Sequence, residues 1–270
     1  MKRLATLLAA CALSAPVFAA ESVAFVADLS GNASIEGDGK VTFLAELQTG
    51  TRLLLGSGST VAVTYASTGS EFTARGPGEF VVGAAEVRAE KGAAPTKRVV
   101  PSLQGIAVVA RVSQTATASV RMRSARTDAT AAGLQFPVDT RVSTLQPVLL
   151  WRGAAGDAQV IIKDANGNEV WKGSGRPGAL KPSVRLTPAA RYQWTVMTSQ
   201  GAVGDAQFET LPAEAIAKVS KARAGAKSFS DRVVHALLLQ DLGATQEARE
   251  AWGALARERP DLPELAGLAR

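Results

Sequence analysis

The sequence predicts a mainly β chain: a small all-β domain first, a β-sandwich second, and a short α-helical region at the C-terminus. Three observations predict it. Between Ser22 and Val100, short apolar runs with a period of two are separated by glycines. Between Pro137 and Leu211 the pattern returns, with Asn166-Gly167 set between two strand-like runs, a strong short-range hairpin signal. From Ala213 onward the glycine spacing gives way to helix formers.

The first element is a leader over residues 1–19. Lys2 and Arg3 start it, Leu4 to Leu13 form an apolar run, and Val17-Phe18-Ala19 ends on a small residue, so cleavage is expected before Ala20. The run is too short to span a bilayer as a mature helix. The mature protein is therefore expected in the periplasm, without a transmembrane helix. Leu8-Ala9-Ala10-Cys11 also matches the pattern that precedes a lipid-modified cysteine, and anchoring through Cys11 stands as the alternative. Cys11 is the single cysteine of the chain. If it is removed, the mature protein has no disulfide, no cysteine nucleophile and no sulfur-bound zinc.

Charge is uneven. The chain has 30 Lys and Arg against 24 Asp and Glu. Residues 91–127 hold Lys91, Lys97, Arg98, Arg111, Arg121, Arg123 and Arg126 and no acidic residue, so the rest of the mature chain is slightly acidic. Outside the cytoplasm nucleic acid is not an expected partner. Lipid head groups, an anionic cell-wall polymer or an acidic envelope protein fit the charge, with Arg111, Arg121, Arg123 and Arg126 as the contacts. The plainer reading is a solvated strand face, because Val120-Arg121-Met122-Arg123 alternates apolar and charged.

Within residues 20–100, Val41–Leu44, Arg52–Leu55, Val61–Tyr65 and Glu79–Val82 read as strands, with glycines at the turns between them. Leu47-x-x-Gly50-x-x-Leu53, Gly58-Ser59-Thr60-Val61-Ala62-Val63, Thr68-Gly69-Ser70-Glu71-Phe72 and Gly76-Pro77-Gly78 follow in order. This succession resembles the FecR-type domain, an all-β domain of bacterial envelope proteins. The resemblance implies an envelope location and a role in receiving or relaying a signal. The regulators that define that family also carry a cytoplasmic part and a membrane helix. This chain lacks both patterns, so direct sigma-factor control is not implied.

Residues 101–136 are rich in Ala, Ser, Thr and Arg and read as a basic connector or as edge strands of the first domain. In 137–211, Pro147–Trp151, Gln159–Lys163 and Glu169–Lys172 read as strands. Leu186-Thr187-Pro188-Ala189-Ala190-Arg191-Tyr192-Gln193-Trp194-Thr195-Val196 resembles the corner and following strand of a fibronectin type III domain, with Ala206–Thr210 as the closing strand. That resemblance implies an Ig-like sandwich with Tyr192 buried and its hydroxyl bonded to backbone near the corner. Tyr192 and Trp194 are then core residues.

In 213–270, helices are expected over Ala213–Ala224, Ser230–Leu242 and Thr245–Arg257. Ser230 and Thr245 are the candidate N-caps and Gly243 the break. Ala248, Trp252 and Leu255 share one face of the third helix. The spacing of Ala236, Leu239, Gly243, Ala248, Trp252 and Pro260 resembles one tetratricopeptide repeat, with Leu262 to Arg270 beginning a further helix. A single repeat makes no long concave surface. The tail is a packed helical cap or half of an assembly surface.

Reactive groups are sparse. Gly173-x-Gly175-x-x-Gly178 spells a dinucleotide fingerprint, yet Pro182 and the strand-like Val184-Arg185-Leu186 replace the helix it needs. Asp164-x-Asn166-Gly167-x-Glu169 offers oxygens in a turn, as calcium prefers, but a hairpin explains the same residues. His235, the single histidine, reads as a packing or surface residue of a helix. Carboxylate pairs such as Glu36 with Asp38, or Glu79 with Glu86, fall on turns and strand faces. No catalytic, cofactor or metal residue is assigned and no cofactor is expected. The function expected is non-catalytic binding or scaffolding of envelope proteins, in sensing or signalling. A cell-wall or surface polysaccharide-binding module and a carbohydrate-active hydrolase are the alternatives.

Overall fold

A computed structural model describes residues 22–100, 133–153 and 156–270. The leader, Cys11 and the four arginines Arg111, Arg121, Arg123 and Arg126 lie outside the described residues. The chain is mainly β, with four sheets and a C-terminal helical region among the described residues. Among the described residues no helix is long and apolar enough to cross a membrane.

Residues 22–100 form two five-stranded antiparallel sheets. The first has the order β10-β7-β6-β1-β4, with β1 Ser22–Ser30, β4 Glu46–Gln48, β6 Thr60–Tyr65, β7 Ser70–Arg75 and β10 Thr96–Val99. The second has the order β3-β2-β5-β8-β9, with β2 Ala33–Ile35, β3 Gly39–Lys40, β5 Arg52–Leu55, β8 Gly78–Val82 and β9 Val87–Lys91. The Tyr65 hydroxyl donates to the carbonyls of Gly83 (3.1 Å) and Glu86 (2.7 Å), tying the first sheet to the turn between β8 and β9.

Val41–Leu44, expected as a strand, is instead the corner where the chain leaves the second sheet for the first. Leu44 has a φ of 60°, a left-handed conformation that a ladder does not accommodate. Its N–H donates to the Val26 carbonyl at 2.9 Å. Val41, Phe43 and Leu44 are apolar because they point inward from that corner; all three are buried.

The first sheet is covered on both faces. Phe25 lies opposite Thr64, Thr64 opposite Glu71, and Glu71 opposite Arg98, which places the four on one face. The next row, Val26, Val63 and Phe72, points to the other sheet. Phe25 and Thr64 are fully buried and Glu71 nearly so, because the C-terminal helical region packs over that face through α2 Phe229–Asp241, which contacts β1; α1 Ala213–Gly225 and α3 Thr245–Glu258 pack on α2, and α4 Glu264–Leu268 packs on α3. Phe43 meets the rings of Phe229 and Trp252 at 6.2 and 6.5 Å. One continuous apolar core therefore runs from Ala24 through Val100 and resumes from Leu211 to Leu265. On α3 the buried residues are Ala248, Trp252 and Leu255, the face read from the sequence. Two chain segments distant in sequence build one body.

Two N-caps differ from the expected ones. Ser228, not Ser230, caps α2. Its hydroxyl accepts the Asp231 N–H at 3.1 Å while the Asp231 carboxylate accepts the Ser228 N–H at 2.9 Å, a reciprocal capping box. Ser230 Oγ is thereby left to accept from Arg98. Ala244 precedes α3, and the Thr245 hydroxyl turns to the Thr140 hydroxyl at 3.1 Å.

Residues 133–211 form a second sandwich with a separate core. A three-stranded sheet has the order β11-β13-β16, from Gly133–Phe136, Leu149–Arg152 and Gly178–Leu180. A five-stranded sheet has the order β12-β18-β17-β14-β15, from Thr140–Val142, Gly201–Thr210, Arg191–Thr198, Ala158–Asp164 and Glu169–Gly175. Strand β11 starts inside the stretch read as connector and pairs with β13. Tyr192 is buried and stacked on Phe208 at 5.5 Å; its hydroxyl accepts the Thr187 N–H at 2.9 Å. The Trp194 indole N–H donates to the Pro137 carbonyl at 2.8 Å. Both residues are core.

Candidate functional site: the helical clasp and the outer sheet face

Two arginines hold the helices to the first sandwich. Arg98 extends from edge strand β10. Its Nε and Nη2 donate to the two oxygens of Glu71 at 2.6 and 3.0 Å, and Nη1 donates to Asp231 at 2.7 Å. Nη2 also reaches the hydroxyls of Ser228 and Ser230 at 3.0 and 2.9 Å. Burial pushes the Asp231 carboxyl up, but the Ser228 N–H and the Arg98 guanidinium outweigh it and hold the carboxyl below its ordinary value.

Arg259, just past α3, donates to Asp28 at 2.6 Å and to the Leu29 carbonyl at 2.7 Å, and its guanidinium lies 5.1 Å from the centre of the Phe229 ring. Asp28 faces the helices because of a bulge in β1. The register jumps between Val26 and Asp28, so Ala27 is an extra residue and Asp28 moves to the side of Phe25. Burial pushes the Asp28 carboxyl above its ordinary value despite Arg259.

The joint to the second sandwich has a different chemistry, since it is made of hydrogen bonds around the first turn of α3. Gln246 accepts the Val138 N–H at 2.8 Å and donates to the Gln135 carbonyl at 2.8 Å. The Arg141 N–H donates to the Gly243 carbonyl at 3.2 Å. Gly243, with a φ of 79°, supplies the left-handed residue that lets the chain turn into α3. Glu247 accepts the Ser143 N–H on both oxygens, at 3.3 and 3.2 Å. Burial raises the Glu247 carboxyl above the ordinary glutamate range, and the Ser143 N–H offsets only part of that.

A raised folded-state value means that the contribution of Glu247 to stability is present at low pH and is lost as pH rises through that value. Glu247→Gln keeps an acceptor for Ser143 and removes the titration. Its urea midpoint should exceed that of the parent at neutral pH and match it at about pH 3. A parent that is the more stable at neutral pH would contradict this assignment.

The candidate groups from the sequence are engaged elsewhere. Glu79 accepts from Lys91 at 2.7 Å, Glu86 is paired with Arg88, and Glu36 lies 3.6 Å from Arg52. Glu79 lies on β8, Glu36 in the turn between β2 and β3, and Glu86 in the turn between β8 and β9, each beside a cation. Asp164 Oδ1 accepts the N–H groups of Asn166 and Asn168, both at 2.9 Å, and Oδ2 accepts the Asn168 side-chain amide at 3.0 Å. The loop closes on its own donors. His235 is half-buried on α2, and burial, with Arg223 nearby, lowers its pKa. Among the described residues no group of three His, Cys, Asp or Glu side chains is placed to hold a metal ion. Three cations of the basic stretch are described: Lys91 pairs with Glu79, Lys97 lies 5.5 Å from the centre of the Phe72 ring, and Arg98 forms the clasp.

The sequence presents Arg98 only as part of a basic run and does not reveal the clasp. The signal that could have found it was Ser228-x-x-Asp231, a capping-box spelling whose acid also serves as a partner for a distant cation. No protein-family model matches this chain, and no curated protein matches it at a significant level.

Proposed function

We propose that this is a non-catalytic binding or scaffold protein of the bacterial periplasm, acting in envelope sensing or signalling. The observation that carries the reading is the position of the helical tail. It shares the core of the first sandwich and hydrogen-bonds the second through the turn that opens α3. Two binding-type β modules are thus held on one bridge, as a scaffold requires. The resemblance of residues 20–100 to the FecR-type domain and of 137–211 to fibronectin type III supports the same reading, since both serve recognition. The pairing of Glu36, Glu79 and Glu86 with cations disfavours the hydrolase alternative.

Affinity capture from envelope fractions, with the mature full-length chain as bait, tests this. The expected result is one protein retained in stoichiometric amount, with saturable binding once that protein is purified. Capture of no such protein, or turnover of glycan substrates by the purified chain, would overturn the proposal.

A further inference from the structure

The helices are attached to the two sandwiches by different means. On the first sandwich they share a core, and the two arginines of the clasp donate to carboxylates at 2.6–3.0 Å. On the second, residues 135–143 meet residues 242–247 through hydrogen bonds of 2.8–3.4 Å. Besides the bonds already described, the Thr140 hydroxyl accepts the Gln246 N–H at 3.4 Å and Arg141 Nη1 donates to the Leu242 carbonyl at 3.3 Å. The two apolar cores stay separate on either side of this joint. Among the described residues the chain crosses between the bodies at Leu211–Pro212, between β18 and α1.

A small polar contact between two bodies permits relative motion, because each of its hydrogen bonds can be exchanged for one to water at little net cost. Glu247 is the carboxyl within this joint, and it accepts the Ser143 N–H on both oxygens.

We propose that the joint is a hinge gated by Glu247: ionisation of its carboxyl opens the joint and lets the second sandwich swing about Leu211–Pro212 while both cores stay folded. This goes beyond the scaffold reading and does not depend on what either sandwich binds. In the closed joint, burial favours the neutral carboxyl. Opening hydrates the group and returns it to its ordinary value. Closure is therefore favoured at low pH and loses ground as pH rises through the raised value. Arg223 of α1 favours the charged form and Glu250 of α3 opposes it. On the sandwich side, Arg141 is held by Glu209 at 3.5 Å. His235 of α2 also feels Arg223, so its titration has to be separated from that of Glu247.

Spin-label distances test the hinge in the chain from Ala20 onward, which contains no native cysteine. Ser57→Cys and Ser199→Cys place labels at exposed residues of the first and second sandwich. Pulsed electron resonance should show a second, broader distance population at least threefold larger at about pH 8 than at about pH 5. Glu247→Gln should hold that population at its low-pH level throughout. Gln246→Ala, which removes the bonds to Val138 and Gln135, should enlarge it at both pH values. Hydrogen exchange at the higher pH should leave 22–100 and 133–211 protected. Distances that ignore pH, or that ignore Gln246→Ala, overturn the proposal. A pH response that persists in Glu247→Gln also overturns it and assigns the titration to another group, His235 first. Loss of protection in either sandwich means unfolding rather than hinge opening, and overturns it as well.

Discussion

A chain ending at Pro212 should lose the native structure of residues 22–100 and keep that of residues 133–211. The removed helices cover a face of the first sheet that carries fully buried Phe25 and the nearly buried Glu71 carboxylate. They also contribute Phe229 and Trp252, which pack on Phe43. Truncating one buried Trp to Ala alone costs about 3–5 kcal/mol, and whole-domain stabilities are only about 5–15 kcal/mol. Removing the helical half of a shared core should therefore unfold the remainder. The second sandwich keeps its own core, including Trp151, Trp194 and Ile162. Hydrogen exchange read by mass spectrometry should show protection lost throughout 22–100 and retained in 133–211. A shortened chain that joins Val100 to Leu211 through a flexible Gly/Ser linker should recover the lost protection. Undiminished protection of 22–100 in the truncated chain would show that its core is sufficient alone.

Arg98→Ala should destabilise the body by about 3 kcal/mol, near the low end of the penalty for breaking a buried ion pair. The low end applies because the Arg98 side chain is 36% exposed, so water recovers part of the loss. The cost arises at Glu71, whose side chain is only 3% exposed. Without the guanidinium, its one remaining hydrogen bond among those described is a 3.3 Å contact from Thr64. Asp231 suffers less, since the N–H groups of Lys227 and Ser228 still reach it. The double variant Arg98→Met with Glu71→Gln should recover most of the loss, because no uncompensated charge remains. Urea unfolding of the parent, both single variants and the double variant gives the coupling directly. Additive single effects would show that Arg98 and Glu71 do not act as a pair.

Much of the architecture is legible in local patterns. Glycine spacing and period two mark β5, β6 and β8, Asn166-Gly167 marks the hairpin between β14 and β15, and Gly243 marks the break between α2 and α3. Each of these depends on backbone conformations that a few neighbouring residues decide. Val41–Leu44 is the instructive failure. An apolar run looks the same whether it lies in a strand or at an inward-pointing corner, and here the chain had to cross between sheets.

A stronger clue lay in the runs Ala24-Phe25-Val26-Ala27 and Val61-Ala62-Val63-Thr64-Tyr65. Neither alternates cleanly between apolar and polar, and every residue in both is buried. A strand that lacks polar alternation has no water-facing side. Those runs required a second covering layer, although nothing local could say which segment supplies it.

Residue pattern alone is enough to set the class of the chain, mainly β with a helical end, because turn chemistry and periodicity are short-range properties. It also determined the helix face that carries Ala248, Trp252 and Leu255. The tertiary structure alone decided that the helical end completes the first sandwich across an intervening second one, and that a bulge at Ala27 turns Asp28 toward Arg259. It alone set residues 135–143 against the turn that opens α3. Contacts between residues far apart in the chain depend on how sheets and helices stack, and the hydrophobic effect that drives stacking is non-directional. Register and packing geometry, rather than residue type, select the partner.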